Sequence, residues 1–298
     1  MCCLFGIVDY GRTLIGKQKA RMLSTLATAC EARGTDATGI AYNSGGHLHI
    51  FKRPQPAHAM RFYIPDESRV IMGHTRMTTQ GSEKKNYNNH PFYGSAGGQS
   101  FALAHNGVLY NDRTLQISER LPVTQIETDS YVAVQLLEKK NALSLDSLRH
   151  MAEQVEGSFT FTALSEDDRL YFVKGENPIC IYHYPKRKLY LYASTEEILK
   201  DALEQMYLRY DHPRRILMEC GDILCIDKNG AMDRAEFNTD HLLPYAYPRI
   251  WSGPNASYRK ELKSIARYYG YDSDMIDAMF AEGFTAEEVE DLLYCGGM

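Results

Sequence analysis

Over the first 235 residues, apolar positions either alternate with polar ones or run unbroken, always in short stretches. Leu4-Phe5-Gly6-Ile7-Val8 is the first of these. Gly39–Tyr42 and His47–Lys52 flank Ser44-Gly45-Gly46, and Val70–His74, Phe101–Leu109, Ser158–Leu164 and Leu170–Val173 follow. Ile179–Tyr184 with Leu189–Ala193, and Ile216–Glu219 with Ile223–Asp227, read as two further hairpin pairs, because β-branched and aromatic runs bounded by turn formers favour strands. Apolar residues recur at three and four over Lys17–Glu31, Thr128–Lys139 and Thr195–Gln205, which predicts three helices. Many hairpins and few helices predict an antiparallel α+β protein.

The pattern changes at residue 238. Residues 238–256 mix Pro244, Pro248, Gly253 and Pro254 with Tyr245, Tyr247 and Trp251 and read as a linker. Beyond it the spacing is helical, over Tyr258–Tyr268, Ser273–Ala281 and Thr285–Tyr294, with breaks at Gly270-Tyr271 and Gly283-Phe284. The expected organisation is a main domain over 1–237, a linker over 238–256 and a small three-helix bundle over 257–298.

Composition narrows the function classes. With 44% hydrophobic and 24% charged residues, the chain has ordinary globular usage. No apolar run approaches the roughly 18 residues of a membrane span, and no basic stretch leads into an apolar segment at the N-terminus. A cytoplasmic protein without a membrane partner is expected. Residues 257–298 hold four basic and nine acidic groups, which equals the whole net charge of −5. The remainder is balanced, so no nucleic-acid partner is expected. The seven cysteines, at 2, 3, 30, 180, 220, 225 and 295, lack zinc-knuckle or dithiol spacing, and neither metal nor cofactor is expected.

Cys2 carries the sharpest chemistry. Removal of Met1 would put a thiol and a free α-amine on one residue, a nucleophile beside its own base. Their unperturbed pKa values, about 8.5 and about 8, are close enough for proton transfer near neutrality. A buried cysteine opening a first strand is the plainer alternative. Four polar clusters stand at strand ends or turns: Arg33-Gly34-Thr35-Asp36, Gly73-His74-Thr75-Arg76 with Thr79 and Asn89-His90-Pro91, His105-Asn106-Gly107, and Glu127-Thr128-Asp129-Ser130. Each has a structural explanation. Arg33 and Asp36 can close a loop, His74 can be a hydrogen-bonded core histidine, Asn106-Gly107 has tight-turn composition, and Thr128 can cap a helix beside Asp129.

Taken in order behind Cys2 and Phe5-Gly6, and continued by Gly157-Ser158-Phe159, Ala193-Ser194-Thr195 and Glu219-Cys220-Gly221-Asp222, these clusters resemble the glutaminase domain of class II glutamine amidotransferases. That family lies within the N-terminal nucleophile (Ntn) hydrolase superfamily. The resemblance spans about residues 2–230. It implies a four-layer αββα sandwich of two antiparallel sheets, and hydrolysis of glutamine to glutamate and ammonia through a thioester on Cys2. It further implies an oxyanion site at Asn106 and Gly107, and a substrate-binding set in which Arg76 holds the carboxylate near Thr79, Asp129 holds the ammonium, Arg33 orders the site beside the nucleophile, and His90 lines it.

Three positions depart from the family pattern: Cys3 after the nucleophile, Met77 after the arginine, and Gln80 in the loop that closes over substrate. Relatives carry a synthase domain after the glutaminase. Here about sixty residues follow, in an order that resembles ubiquitin-associated three-helix bundles. Ammonia would then pass to a separate synthase or other protein recruited by the acidic helices. Alternatively, those helices pack on the parent domain or support a homo-oligomer. Two other functions stay open: a free-standing γ-glutamyl amide or peptide hydrolase, and a non-catalytic glutamine-sensing protein.

Overall fold

The computed structural model describes residues 2–206, 208, 211–242, 259, 262–263, 266–267, 271–284, 288–289 and 292–293. Its strands are β1 (Cys3–Asp9), β2 (Ala37–Ser44), β3 (His47–Arg53), β4 (Val70–Arg76), β5 (Phe92–Ala96), β6 (Gln99–Leu109), β7 (Gly157–Ser165), β8 (Leu170–Lys174), β9 (Cys180–Tyr184), β10 (Leu189–Ala193), β11 (Arg214–Ile216), β12 (Asp222–Ile226) and β13 (Met232–Glu236). The helices are α1 (Gly16–Ala29), α2 (Asp112–Ser118), α3 (Tyr131–Lys140), α4 (Leu145–Ala152), α5 (Glu196–Gln205) and α6 (Asp274–Ala281). Cys2–Leu242 forms one compact unit, and Leu243–Met298 belongs to another.

Two antiparallel sheets make the larger unit. One runs β11-β9-β10-β1-β4-β2-β3 and the other β13-β12-β8-β7-β6-β5. Three cores explain the layering. Leu4, Val8, Met72, Ala102, Ala104, Phe172, Tyr192 and Leu224 pack between the sheets. Phe5, Ile7 and Ile71 face outward against Leu23, Leu26, Ile198 and Leu199 of α1 and α5. Leu103, Phe159 and Phe161 cover the other outer face with Val132, Leu136, Leu148 and Met151 of α3 and α4. Both faces of the central strands are therefore buried, which is why β1 reads as an unbroken apolar run rather than an alternating one. The result is the expected αββα sandwich.

Several elements differ from the sequence expectation. The pair Ile216–Glu219 with Ile223–Asp227 is not a hairpin. β11 ends at Ile216 and pairs with β9, whereas β12 pairs with β8 and β13 in the other sheet. The segment between them carries the chain from sheet to sheet, turned by Gly221 at φ +102° and by Asp222, which accepts from the Glu219 N–H at 2.8 Å. β13 escaped notice because Met-Asp-Arg-Ala-Glu is an exposed edge strand without an apolar face. β5 is short and contains a glycine, and α4 covers only eight residues, started by the Ser144 side chain accepting from the Ser147 N–H. Thr128 does not cap α3. The helix begins at Tyr131, and the Thr128 hydroxyl is buried without a hydrogen-bond partner.

In the second unit, the expected Ser273–Ala281 helix is α6, and Leu262, Ala266, Ile276, Val289 and Leu293 form a small apolar cluster. Residues 243–256, most of the expected linker, lie outside the described residues, as does much of the expected first and third helices.

One buried ion pair fastens the start of α1 to the first sheet. Lys19 Nζ lies 3.7 Å from Asp9 Oδ2 and donates to the Asp66 carbonyl at 2.8 Å, and both side chains are about fully buried. Asp9 also accepts from the Thr13 and Leu14 N–H groups. Removing one partner of such a pair strands the other charge in the core. Lys19→Met should therefore lower unfolding free energy by about 3–5 kcal/mol in urea titrations. Lys85→Ala, which removes a half-exposed ion pair with Glu127, should cost under about 1 kcal/mol.

Candidate active site

Strand alternation alone gathers much of the site. In β1, Leu4 and Val8 face the space between the sheets and Phe5 and Ile7 face α1. Cys2, two residues before Leu4, shares the inter-sheet side, while Cys3 shares the outer side. In β4, Val70 and Met72 face inward, so His74 and Arg76 do too. In β6, Ala102 and Ala104 face inward, and Asn106 continues their row. The small alanines leave the two sheets close, and polar side chains close the end of the layer.

This geometry separates the two adjacent thiols. Cys3 is fully buried in the outer core with its Sγ 3.0 Å from Cys30 Sγ. Cys2 is 9% exposed, and its Sγ approaches the Met77 carbonyl at 3.5 Å. Burial pushes the Cys2 thiol pKa up, with the Arg76 charge opposing and Asp129 adding to the rise. The same proximity acts on Arg76, whose guanidinium feels Cys2 and Asp129. Arg33, also fully buried, donates from Nε to the Cys2 carbonyl at 3.0 Å and so fixes the backbone of the thiol-bearing residue.

Arg76 is 3% exposed and tied to the loop that follows it. Its Nη1 donates to Asn89 Oδ1 at 2.7 Å, and its Nη2 to the carbonyls of Gln80 at 2.5 Å and Gly81 at 3.4 Å. Asp36 holds the same loop by accepting from the Thr78 N–H at 2.7 Å. Thr79 is half-buried within it. Gly34 sits under the Arg76 backbone so closely that a Cβ there would lie 2.5 Å from the Arg76 carbonyl carbon.

Asn106 and Gly107 are not a turn. They lie inside β6, opposite Thr160 and Phe159 of β7. Gly107 has φ +141°, and a Cβ there would lie 1.9 Å from the Ser158 oxygen, so only glycine fits. Asn177, which the sequence reading passed over, donates from Nδ2 to the Asn106 carbonyl at 2.9 Å. Its only sequence signal is an Asn-Pro step after a strand. Asp129, 3% exposed, accepts from the Leu109 N–H at 2.6 Å and thereby joins the same strand. Burial raises its pKa to about 6.

Three buried histidines accompany these groups. His74 Nε2 meets the His105 carbonyl at 3.0 Å, and His105 Nδ1 meets Ser130 Oγ at 2.8 Å. Burial holds His74 and His105 near pKa 3 and His90 well below the usual value, so all three are neutral at pH 7. His90 packs on the rings of His74 and Phe92, with centroids 4.2 and 4.4 Å away. His90 thus packs between His74 of β4 and Phe92 of β5. Lys52 fixes its loop by donating to the carbonyls of Asn89 and Pro91, and burial lowers the Lys52 pKa to about 8. Among the described residues no group of three or more His, Cys, Asp or Glu is arranged to hold a metal ion, and no helix is long and apolar enough to cross a membrane.

The family model for glutamine amidotransferases of class II matches residues 1–181. A glutamine–fructose-6-phosphate aminotransferase (isomerizing) of Halalkalibacterium halodurans is 32% identical over 185 residues, covering 59% of this chain and 30% of that protein. An amidophosphoribosyltransferase of Methanocaldococcus jannaschii is 25% identical over 242 residues, covering 75% of this chain and 48% of that protein. The chain thus spans between about a third and a half of the length of these relatives. The solved glutamine phosphoribosylpyrophosphate amidotransferase of B. subtilis superposes with a TM-score of 0.63 at 21% identity, over 80% of this chain and 50% of that one, a likeness of fold. With more than half of its length matched by the family model, the chain belongs to the class II glutamine amidotransferases.

Proposed function

We propose that the protein hydrolyses the side-chain amide of glutamine through a thioester on Cys2. The observation that carries this reading is the convergence of Cys2, Arg76, Asp129 and the Asn106-Gly107 step at one end of the inter-sheet layer. Once Met1 is removed, the Cys2 α-amine takes the thiol proton and the thiolate attacks the amide carbon. Asn106, through its side-chain amide, and Gly107, through its N–H, donate to the developing oxyanion. The tetrahedral adduct collapses as the amine proton moves to nitrogen, releasing ammonia and leaving a γ-glutamyl thioester. Water then attacks that thioester, giving glutamate and restoring the thiol.

Arg76 suits the substrate carboxylate, since a guanidinium can bind it bidentately. Its present partners include two loop carbonyls, so substrate binding exchanges neutral acceptors for a charged one. Thr79 lies in that loop. Asp129 receives the ammonium, and Arg33 holds the nucleophile's backbone. His90 supports the Arg76 loop by packing. The ammonia is proposed to pass to an acceptor enzyme, and the acidic segment 257–298 is the part of the chain proposed to recruit it.

Cys2→Ala in Met1-processed protein should lower glutamate release at least about 10³-fold. Cys3→Ala should keep kcat within about threefold while losing about 1–2 kcal/mol of stability, because its sulfur fills the outer core. Glutamate release tracking Cys3 rather than Cys2 would sink the assignment.

Asp129 generates a pH prediction. Its carboxyl binds a proton more tightly in the folded than in the unfolded chain, so stability contributed by its protonated form is lost as pH rises from about 4 to about 6. The ionised form that pairs with the ammonium is gained over the same window. Thus kcat/KM for glutamine should fall below pH about 6. Asp129→Asn should lose most turnover yet gain stability over wild type, the gain growing between pH 4 and 6 to the order of 3 kcal/mol in urea titrations. A gain independent of pH would contradict the assignment.

A further inference from the structure

An oxyanion carboxamide is useful only if its N–H end faces the reaction. Asn106 is fully buried, and its Nδ2 lies 3.4 Å from Ser194 Oγ while its Oδ1 has no hydrogen-bond partner. A buried amide oxygen left unpaired is costly, on the order of 1–3 kcal/mol. The two ends of a carboxamide exchange places by a half-turn about the last side-chain bond. After that exchange the oxygen faces Ser194 and the NH₂ occupies the unpartnered position.

Ser194 is equipped to enforce that orientation. β10 leaves its ladder with β1 at Ala193, opposite Phe5, and the chain turns into α5, which Thr195 caps. The Leu4 N–H is taken instead by Ser194 Oγ at 2.8 Å. A hydroxyl that already accepts a hydrogen bond has one proton left to donate. Ser194 is fully buried, so that proton goes to a protein acceptor. The Asn106 oxygen is a strong acceptor, and the neighbouring Cys3 sulfur a weak one. Asn177 meanwhile fixes the Asn106 main chain, leaving the side-chain torsion as the remaining freedom.

We propose that Ser194 is a positioning residue: its hydroxyl accepts from the Leu4 N–H, donates to the Asn106 amide oxygen, and so turns the Asn106 NH₂ toward the oxyanion. The same atom ties the strand carrying Cys2 to the strand carrying the oxyanion donors. This inference rests on the glutaminase reading above and assigns a residue to that site.

The test is a double-mutant cycle on the full chain with Met1 removed, measuring glutamate release against glutamine concentration for wild type, Ser194→Ala, Asn106→Ala and the double variant. Loss of an oxyanion donor lowers kcat about 10²–10³-fold, so Asn106→Ala is expected in that range. Ser194→Ala should lower kcat about tenfold or more with KM within about threefold, yet change kcat less than about twofold when Asn106 is already alanine. Ser194→Thr, which keeps the hydroxyl, should recover most of the loss. Equal losses from Ser194→Ala in both backgrounds, or an unchanged kcat, overturn the inference while leaving the glutaminase reading intact. Wild-type protein that releases no glutamate overturns both. Thermal unfolding of each variant separates loss of fold from loss of orientation, because a purely structural serine would lower stability equally in both backgrounds.

Discussion

The close approach of two sheets through a layer of small and aromatic side chains sets everything else in place. Ala102 and Ala104 of β6 lie in the same layer as Leu4, Met72, Phe172 and Tyr192, so the first sheet comes close to β6. Three strands then continue their inward rows past the apolar layer into polar residues: Cys2 before β1, His74 and Arg76 in β4, and Asn106 in β6. Strand period fixes which side each occupies, and the apolar layer fixes how near they come. A one-residue slip in β6 would turn Asn106 outward and put His105 in its place.

The dryness of the surroundings on both faces of these strands decides the electrostatics. Burial neutralises all three histidines and leaves Arg76 as the cation beside Cys2 and Asp129. Because burial makes these imidazoles weak bases, the proposed mechanism gives the thiol proton to the α-amine that loss of Met1 would free on Cys2. Burial also lifts the Asp129 pKa to about 6, making its carboxylate less stable there than it would be in water. An ammonium partner would relieve that penalty, which suits the proposed substrate, whose ammonium and carboxylate sit together at its amino-acid end within reach of Asp129 and Arg76.

The architecture was legible where a strand's period survives in its sequence. β1, β4, β6, β7 and β10 carry apolar runs long enough to read, and α1 and α5 carry clear helical stripes. β13 was not legible because an exposed edge strand buries nothing, and α2 and α4 are too short to show a period. The Ile216–Ile223 hairpin failed for another reason: adjacent strand signals say nothing about which sheet each joins, and Gly221 sends the chain across. The candidate site residues Cys2, Arg76, Asn106, Gly107 and Asp129 are legible only through their order along the chain. Asn177 and the contacts of Ser194 are not, since a hydrogen bond spanning 71 or 190 residues leaves no local trace. The interior place of His90 follows from ring packing that sequence spacing does not encode.

The covalent intermediate proposed at Cys2 is open to direct detection. Met1-processed protein mixed with glutamine and quenched in acid, then digested and mapped by peptide mass spectrometry, should carry a hydroxylamine-labile γ-glutamyl group on the N-terminal peptide. Fragmentation should place that group on Cys2. A γ-glutamyl group on Cys3, or steady glutamate release with no acyl group on either thiol, would contradict it.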